Sequence, residues 1–118
     1  MATRLPRPYA PVRGSRTGVP IMALLDLLGR RWALRVLWEL RTAPLTSRAL
    51  RTACGGISPT VLADRARELR AARLIALGET GYGLTPLGHE LIEQLLPLVQ
   101  WSRRWAVLTR RFRRGKSP

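Results

Sequence analysis

The residues of this chain with the clearest chemistry are the arginines, serines, threonines and aspartate between residues 47 and 70. Thr60, Asp64 and Arg67 follow one another at spacings of four and three, so a helix would place them on one face. Side chains of these types bind the edges of base pairs, which is the role we expect for these three. Counting phosphate contacts as well, we predict DNA binding at nine positions: Ser47, Arg48, Arg51, Ser58, Thr60, Asp64, Arg65, Arg67 and Arg70.

Arginine residues around this face suit phosphate as well as bases, because a guanidinium binds phosphate or guanine through two parallel hydrogen bonds. Arg65 and Arg70 are expected to bind phosphate or guanine, and the polar residues at 47–51 are expected to bind phosphate. The alternative is a solvated helix surface, on which Asp64 and Arg67 pair only with each other.

The charge balance points to a polyanionic partner. Lysine and arginine total 21 against seven acidic residues, which gives a net charge of +14 and a pI of about 11.9. A domain with this charge repels itself unless it meets polyanions, so double-stranded DNA is the first expectation. Nonspecific binding to the nucleoid or to RNA is the alternative function, and an anionic membrane surface is a weaker one.

Catalysis, a metal site and a cofactor are not expected, and the chain is predicted not to be an enzyme. It contains one cysteine, Cys54, and one histidine, His89, so a disulfide within the chain and a cysteine-based zinc site are excluded. Cys54 is either a redox sensor with a pKa lowered by Arg51 or a small buried apolar residue. His89 is expected at the surface.

The predicted elements that would position the nine polar residues are mainly helical. Apolar spacing indicates a helix after Pro20 that ends at Gly29, an almost wholly apolar helix from Trp32 to Arg41, and a short helix capped by Thr46 or Ser47. Gly55-Gly56 forms a turn, and Ser58-Pro59 starts a fourth helix to about Ala72 with Leu62, Ala66 and Leu69 inward. Two short apolar runs around 78–81 predict a hairpin, and Thr85-Pro86 starts the last helix.

The order of these elements predicts a mainly α fold, a winged helix-turn-helix with a two-stranded β wing and a long C-terminal dimerisation helix. The boundaries are a flexible basic arm at 1–18, the domain at 19–109 and a basic tail at 110–118. Apolar residues late in the chain recur at spacings of three and four, which is typical of a helix–helix seam. We predict a homodimer interface at Leu24, Leu28, Leu98, Trp101, Trp105, Leu108 and Phe112.

Several segments resemble the HxlR-type branch of the MarR-like bacterial transcription regulators. The matching stretches are LLDLLGRRW at 24–32, LWEL at 37–40, GISPTVL at 56–62 and LTPLG at 84–88, and the resemblance covers about residues 20–105. It implies a homodimeric, sequence-specific DNA-binding regulator, which we expect to be a repressor at a pseudo-palindromic operator. The longest apolar stretch near the start, Val19 to Leu28, contains Asp26 and is too short to span a bilayer, so we expect a cytoplasmic location with the nucleoid. The resemblance also implies a small aromatic effector, for which the four tryptophans are candidates, although core packing explains them as well.

Two departures from the family pattern bear on function. Redox-sensing members of the family carry a cysteine just before the first helix, where this chain has Gly18-Val19-Pro20, so sensing by that thiol does not transfer. The wing is also short, and its tip carries Glu79 and no arginine. The arginines of residues 1–18 are therefore expected to supply minor-groove contacts in place of the wing.

Overall fold

The structure, a computed structural model, describes residues 19–110 and contains five helices and one antiparallel hairpin in that part of the chain. The elements are α1 Pro20–Leu28, α2 Ala33–Glu39, α3 Ser47–Cys54, α4 Pro59–Ala71, β1 Ile75–Gly78, β2 Gly81–Leu84 and α5 Pro86–Leu108. This order confirms the predicted winged helix-turn-helix. The predicted arm, the tail after Arg110 and the interface residue Phe112 lie outside the described residues.

Hydroxyl side chains fix the starts of three helices. Thr46, Ser58 and Thr85 each accept a hydrogen bond from the backbone N–H three residues later, at 3.1, 3.1 and 3.0 Å. Proline follows at the first helical position after Ser58 and Thr85, where its missing N–H costs no hydrogen bond. These starts confirm the ones predicted from the sequence.

The second helix is shorter than predicted. Trp32 has a left-handed backbone with φ of 76°, so α2 begins at Ala33. It ends at Glu39, since Leu40 already leaves the helical conformation, whereas the sequence predicted a helix from Trp32 to Arg41. The turn before it is closed by a hydrogen bond of 3.0 Å from the Ala33 N–H to the Arg30 carbonyl.

The core lies between α2 and the faces of α3, α4 and β1 that surround it. The largest side chains with less than 2% exposure come from four elements and the residue after α2: Val36, Leu37, Leu40, Leu50, Leu62, Leu69 and Ile75. The inward face predicted for α4 is confirmed. The apolar stripe of α1 divides, because Leu28 is buried and Leu24 packs against the core, while Ile21 and Leu25 remain 52% and 53% exposed.

The hairpin is attached to the body of the domain by backbone contacts. β1 and β2 pair from Ile75–Leu84 to Gly78–Gly81, and Leu45 and Tyr82 exchange two backbone hydrogen bonds of 2.9 and 2.8 Å. Gly81 has φ of +117°, and a Cβ there would collide with the Leu45 carbonyl. This close approach holds the hairpin beside the start of α3. No helix among residues 19–110 has the length and hydropathy needed to cross a membrane.

Candidate nucleic-acid interface

The turn between α3 and α4 sets the direction of α4. Gly55 is left-handed with φ of 73° and donates its N–H to the Arg51 carbonyl at 3.0 Å, which ends α3. Buried Leu50, Ile57 and Leu62 join the two helices below the turn. This packing leaves the opposite sides of α3 and α4 exposed, as a helix-turn-helix requires.

The face of α4 defined by Thr60, Asp64 and Arg67 is called the reading face below. Thr60 lies in the first turn, and the Asp64 and Arg67 side chains are 41% and 50% exposed. An Arg67 nitrogen, Nη2, lies 2.8 Å from Asp64 Oδ1, so the charge pair that the sequence offered as an alternative does form. Both groups are nevertheless accessible from solvent.

Arg65 lies away from the reading face, in a different environment from the one predicted. Its Nη2 donates to Glu68 Oε2 at 3.1 Å, its Nε lies 2.9 Å from Glu68 Oε1, and its Nη1 donates to the Arg31 carbonyl at 3.3 Å. The side chain is only 18% exposed. The predicted contact of Arg65 with phosphate or guanine is therefore not supported, because its guanidinium is occupied within the fold.

The remaining predicted contact residues lie on α3 and at the two ends of α4, and all are exposed. The Ser58 hydroxyl differs from the others because it already accepts the hydrogen bond that caps α4. The arginines among them add positive charge on α3 and in the last turn of α4. These exposed residues are Ser47, Arg48, Arg51, Ser58 and Arg70.

Sequence reasoning missed the pairing of Glu68 with Arg30, a residue for which binding of phosphate was the functional role considered. Glu68 is buried, and Arg30 Nη1 lies 3.2 Å from its Oε2. The sequence did carry a signal that Glu68 is paired, because its carboxylate lies three residues after Arg65 and next to the core residue Leu69.

The hairpin adds little positive charge to this side of the domain. Its tip residues Glu79 and Thr80 are exposed, and the sequence from 75 to 84 contains no arginine or lysine. A wing of this composition is poorly suited to contact phosphate.

Apolar side chains are exposed on α1 and on the second half of α5. On α5, Leu98, Trp101, Trp105 and Leu108 are 55%, 49%, 43% and 76% exposed. The rings of Trp101 and Trp105 stack with centroids 6.5 Å apart. Of the predicted interface, these four residues are exposed, Leu24 is partly buried against the core, and Leu28 is buried within the chain.

Cys54 is buried, with 3% exposure, at the end of α3. Burial raises the pKa of its thiol, and the nearby charge of Arg35, not the predicted Arg51, acts to lower it. His89 is exposed, as predicted. Within residues 19–110 no three histidine, cysteine or acidic side chains are grouped to hold a metal ion.

Comparison with known proteins places the domain among regulators. Residues 27–110 match the model of the HxlR-like helix-turn-helix family. No curated protein matches the sequence significantly.

Solved structures with the same fold support this family match. A candidate MarR-family transcriptional regulator from Enterococcus faecalis V583 is 27% identical with a TM-score of 0.70, over 86% of this chain and 99% of that one. A possible HxlR-family transcriptional factor from Thermoplasma volcanium GSS1 is 28% identical with a TM-score of 0.60, over 74% and 82%. Quinone-bound YodB from B. subtilis is 24% identical with a TM-score of 0.68, over 71% and 96%, and this match shows the fold alone. With the family model matching most of its length, the chain belongs to the HxlR-like helix-turn-helix family of transcriptional regulators.

Proposed function

We propose that this chain is a sequence-specific DNA-binding regulator that binds a pseudo-palindromic operator as a homodimer and represses transcription by covering promoter DNA. The observation that carries the proposal is the exposed reading face of α4, which follows the glycine turn, together with the exposed Arg48 and Arg51 on α3 and Arg70 at the end of α4. The family supports a regulatory role for a surface of this kind.

Entry of α4 into the major groove would exchange the partners of the reading face. Arg67 would bind the O6 and N7 of a guanine, and Asp64 would accept from the N4 of a cytosine. The pair between them is half exposed, and exposed ion pairs contribute little free energy, so its opening costs little. Thr60, in the first turn of α4, would contact a base edge through its hydroxyl or methyl group.

A homodimer is supported by the apolar side chains exposed on α1 and α5. Ile21 and Leu25 on α1 and the four residues of the α5 seam expose large apolar surface, which is typical of a protein interaction site. A two-fold dimer would place two copies of α4 in successive major grooves, with half-sites about 10 bp apart.

A small aromatic effector is a further part of the proposal. The YodB structure similar to this one contains a quinone, and here the stacked Trp101 and Trp105 offer aromatic faces within the proposed interface. Quenching of tryptophan fluorescence by a benzoquinone, together with release of operator DNA, would support this part. An unchanged spectrum would exclude a benzoquinone as the effector.

The test is binding of the purified protein to its own upstream DNA, to fragments selected from a random pool and to an unrelated duplex, each over a range of salt. A specific regulator should prefer a selected site by about 10³-fold or more. Equal affinity for all duplexes, with the same steep loss in salt, would instead support the nonspecific alternative. Arg67→Ala should reduce the preference by relaxing it at one base pair, and Arg103→Ala, which removes the same charge from α5, should keep it.

A further inference from the structure

A chain of alternating charges joins α1 to α4 through the loop between α1 and α2. Arg30 Nη2 lies 3.4 Å from Asp26 Oδ2, and Arg30 Nη1 lies 3.2 Å from Glu68 Oε2. Arg65 Nε lies 2.9 Å from Glu68 Oε1. Two carboxylates and two guanidiniums therefore form a neutral group, called the charge chain below, with one end on each helix.

Glu68 is the centre of the charge chain. It is the one charged residue that is buried among residues 19–110, and its side chain is 5% exposed. A carboxylate in such a place is tolerated only when it is paired, and Glu68 meets an arginine on each side. A leucine would satisfy the same position by packing alone, without fixing the direction of Arg30, which in turn pairs with Asp26 on α1.

The loop itself is fixed to the helix-turn-helix by two further contacts. The Arg31 carbonyl accepts from Arg65 Nη1 at 3.3 Å. Trp32 holds its left-handed backbone with the ring close to the turn, since a Cβ on Gly56 would lie 3.8 Å from Trp32 Cη2. A residue keeps such a conformation when its surroundings leave no alternative. The loop therefore transmits the orientation of α1 to α4.

We propose that Glu68 is a positioning residue that, through Arg30 and Arg65, sets the angle between α1 and α4 and thereby the spacing of DNA half-sites that the dimer accepts. This inference rests on the proposed function, in which α1 lies near the dimer interface and α4 reads the groove. A fixed angle between these helices in each subunit fixes the separation of the two reading faces. The charge chain then determines which spacing of half-sites the dimer accepts.

The experiment compares four proteins on one series of duplexes. They are the wild type, Glu68→Gln, a variant with Arg30→Met, Arg65→Met and Glu68→Leu together, and the control Glu39→Gln. Glu39 pairs with Arg35 at 2.8 Å outside the charge chain, so the control makes the same chemical change at another ion pair. The duplexes carry the half-sites selected by the wild type, separated by the preferred spacing or by one or two base pairs more or fewer. Thermal unfolding and oligomeric state are measured alongside.

The apolar triple variant is expected to fold and dimerise, because well-packed apolar residues replace a buried ion pair without loss of stability. Its preference for the selected spacing over neighbouring spacings should fall by roughly 3- to 30-fold, the usual range of coupling between sites. Glu68→Gln should change the preference in the same direction, and Glu39→Gln should keep it. A role in stability alone would change the unfolding temperature and leave the spacing profile as it was.

Two results would overturn the inference, and they differ. A wild type that selects no site would refute the proposed function and this inference with it. A wild type with a clear spacing preference that the folded triple variant retains would refute the inference alone. If the triple variant fails to fold, the spacing profile of Glu68→Gln decides the question by the same criterion.

Discussion

Removing Arg67 and removing Arg48 should affect DNA binding in different ways, although both side chains are exposed. Arg67→Ala should lower operator affinity by about 1–3 kcal/mol and relax the preference at one base pair, because a base contact is lost. Arg48→Ala should weaken binding to all sequences alike and reduce the salt slope by about one, because a phosphate contact is lost. Titrations of operator and mutated duplexes over a range of salt measure both effects. Identical behaviour of the two variants would contradict the assignment of Arg67 to a base.

Cys54 should behave as a buried apolar residue. Burial raises its pKa, so little thiolate exists at neutral pH, and the side chain is out of contact with solvent. Labelling with a disulfide reagent should be slow in the folded protein and immediate in denaturant. Fast labelling of the folded protein would contradict this and would favour a sensor role.

The raised pKa of Cys54 also gives a direction to the pH dependence of stability. The unfolded chain releases the thiol proton above about pH 8.5, where the native protein still holds it. The native state then binds more protons, so the free energy of unfolding should fall as the pH rises beyond that value. Urea titrations of the wild type and Cys54→Ala at rising pH should show a fall that is smaller in the variant. If the free energy of unfolding fell equally with pH in the two proteins, the raised pKa of Cys54 would be contradicted.

Arg65 shows what residue-level reasoning from the sequence could and could not predict. The face containing Thr60, Asp64 and Arg67 follows from spacing alone, and the structure places all three at the surface as expected. Arg65 looked equally available, but its environment depends on Glu68 and on the Arg31 carbonyl, 34 residues away in sequence. Helical periodicity carries no information about a partner at that distance.

At the scale of elements, the start of α5 depends on a small residue. A Cβ on Gly88 would collide with the Leu74 carbonyl, at the point where α5 passes the residue before β1. Gly88→Ala should therefore lower the free energy of unfolding by about 1–3 kcal/mol, the usual cost of overpacking. Gly78→Ala is the matched control, since the nearest atom to its Cβ would be 3.9 Å away. Chemical denaturation measures the difference, and equal stability of the two variants would contradict the packing argument.

Element boundaries were predictable where local chemistry decides them. Thr46, Ser58 and Thr85 cap their helices through hydrogen bonds to residues three positions away, which the sequence displays directly. The start of α2 was not predictable in this way. Trp32 has an ordinary helical neighbourhood in sequence, but its left-handed backbone is set by contacts of the loop with α4 and with the turn at Gly56.

For the whole molecule, the distribution of acidic residues matters as much as the net charge of +14. Four of the seven acidic residues, namely Asp26, Glu39, Asp64 and Glu68, pair with arginines inside the described fold. Their charge is largely neutralised, so exposed arginines on α3 and at the end of α4 dominate the potential around the reading face. Such a field speeds the encounter with DNA and steers it towards this side.

Dimerisation through α5 can be tested with two leucines of equal exposure. Leu98 on α5 is 55% exposed and Leu77 on the hairpin is 52% exposed. Replacing either leucine by glutamate should therefore change the stability of a single folded chain to a similar extent. Only Leu98 lies on the predicted seam. A two-fold interface loses about 1.5–3 kcal/mol of apolar burial twice over, so Leu98→Glu should weaken dimerisation by roughly 100-fold or more. Light scattering after gel filtration should then find monomers for Leu98→Glu and dimers for Leu77→Glu, with operator affinity lost in the first. Dimers in both would place the interface elsewhere, and monomers in the wild type would mean that a single α4 reads DNA.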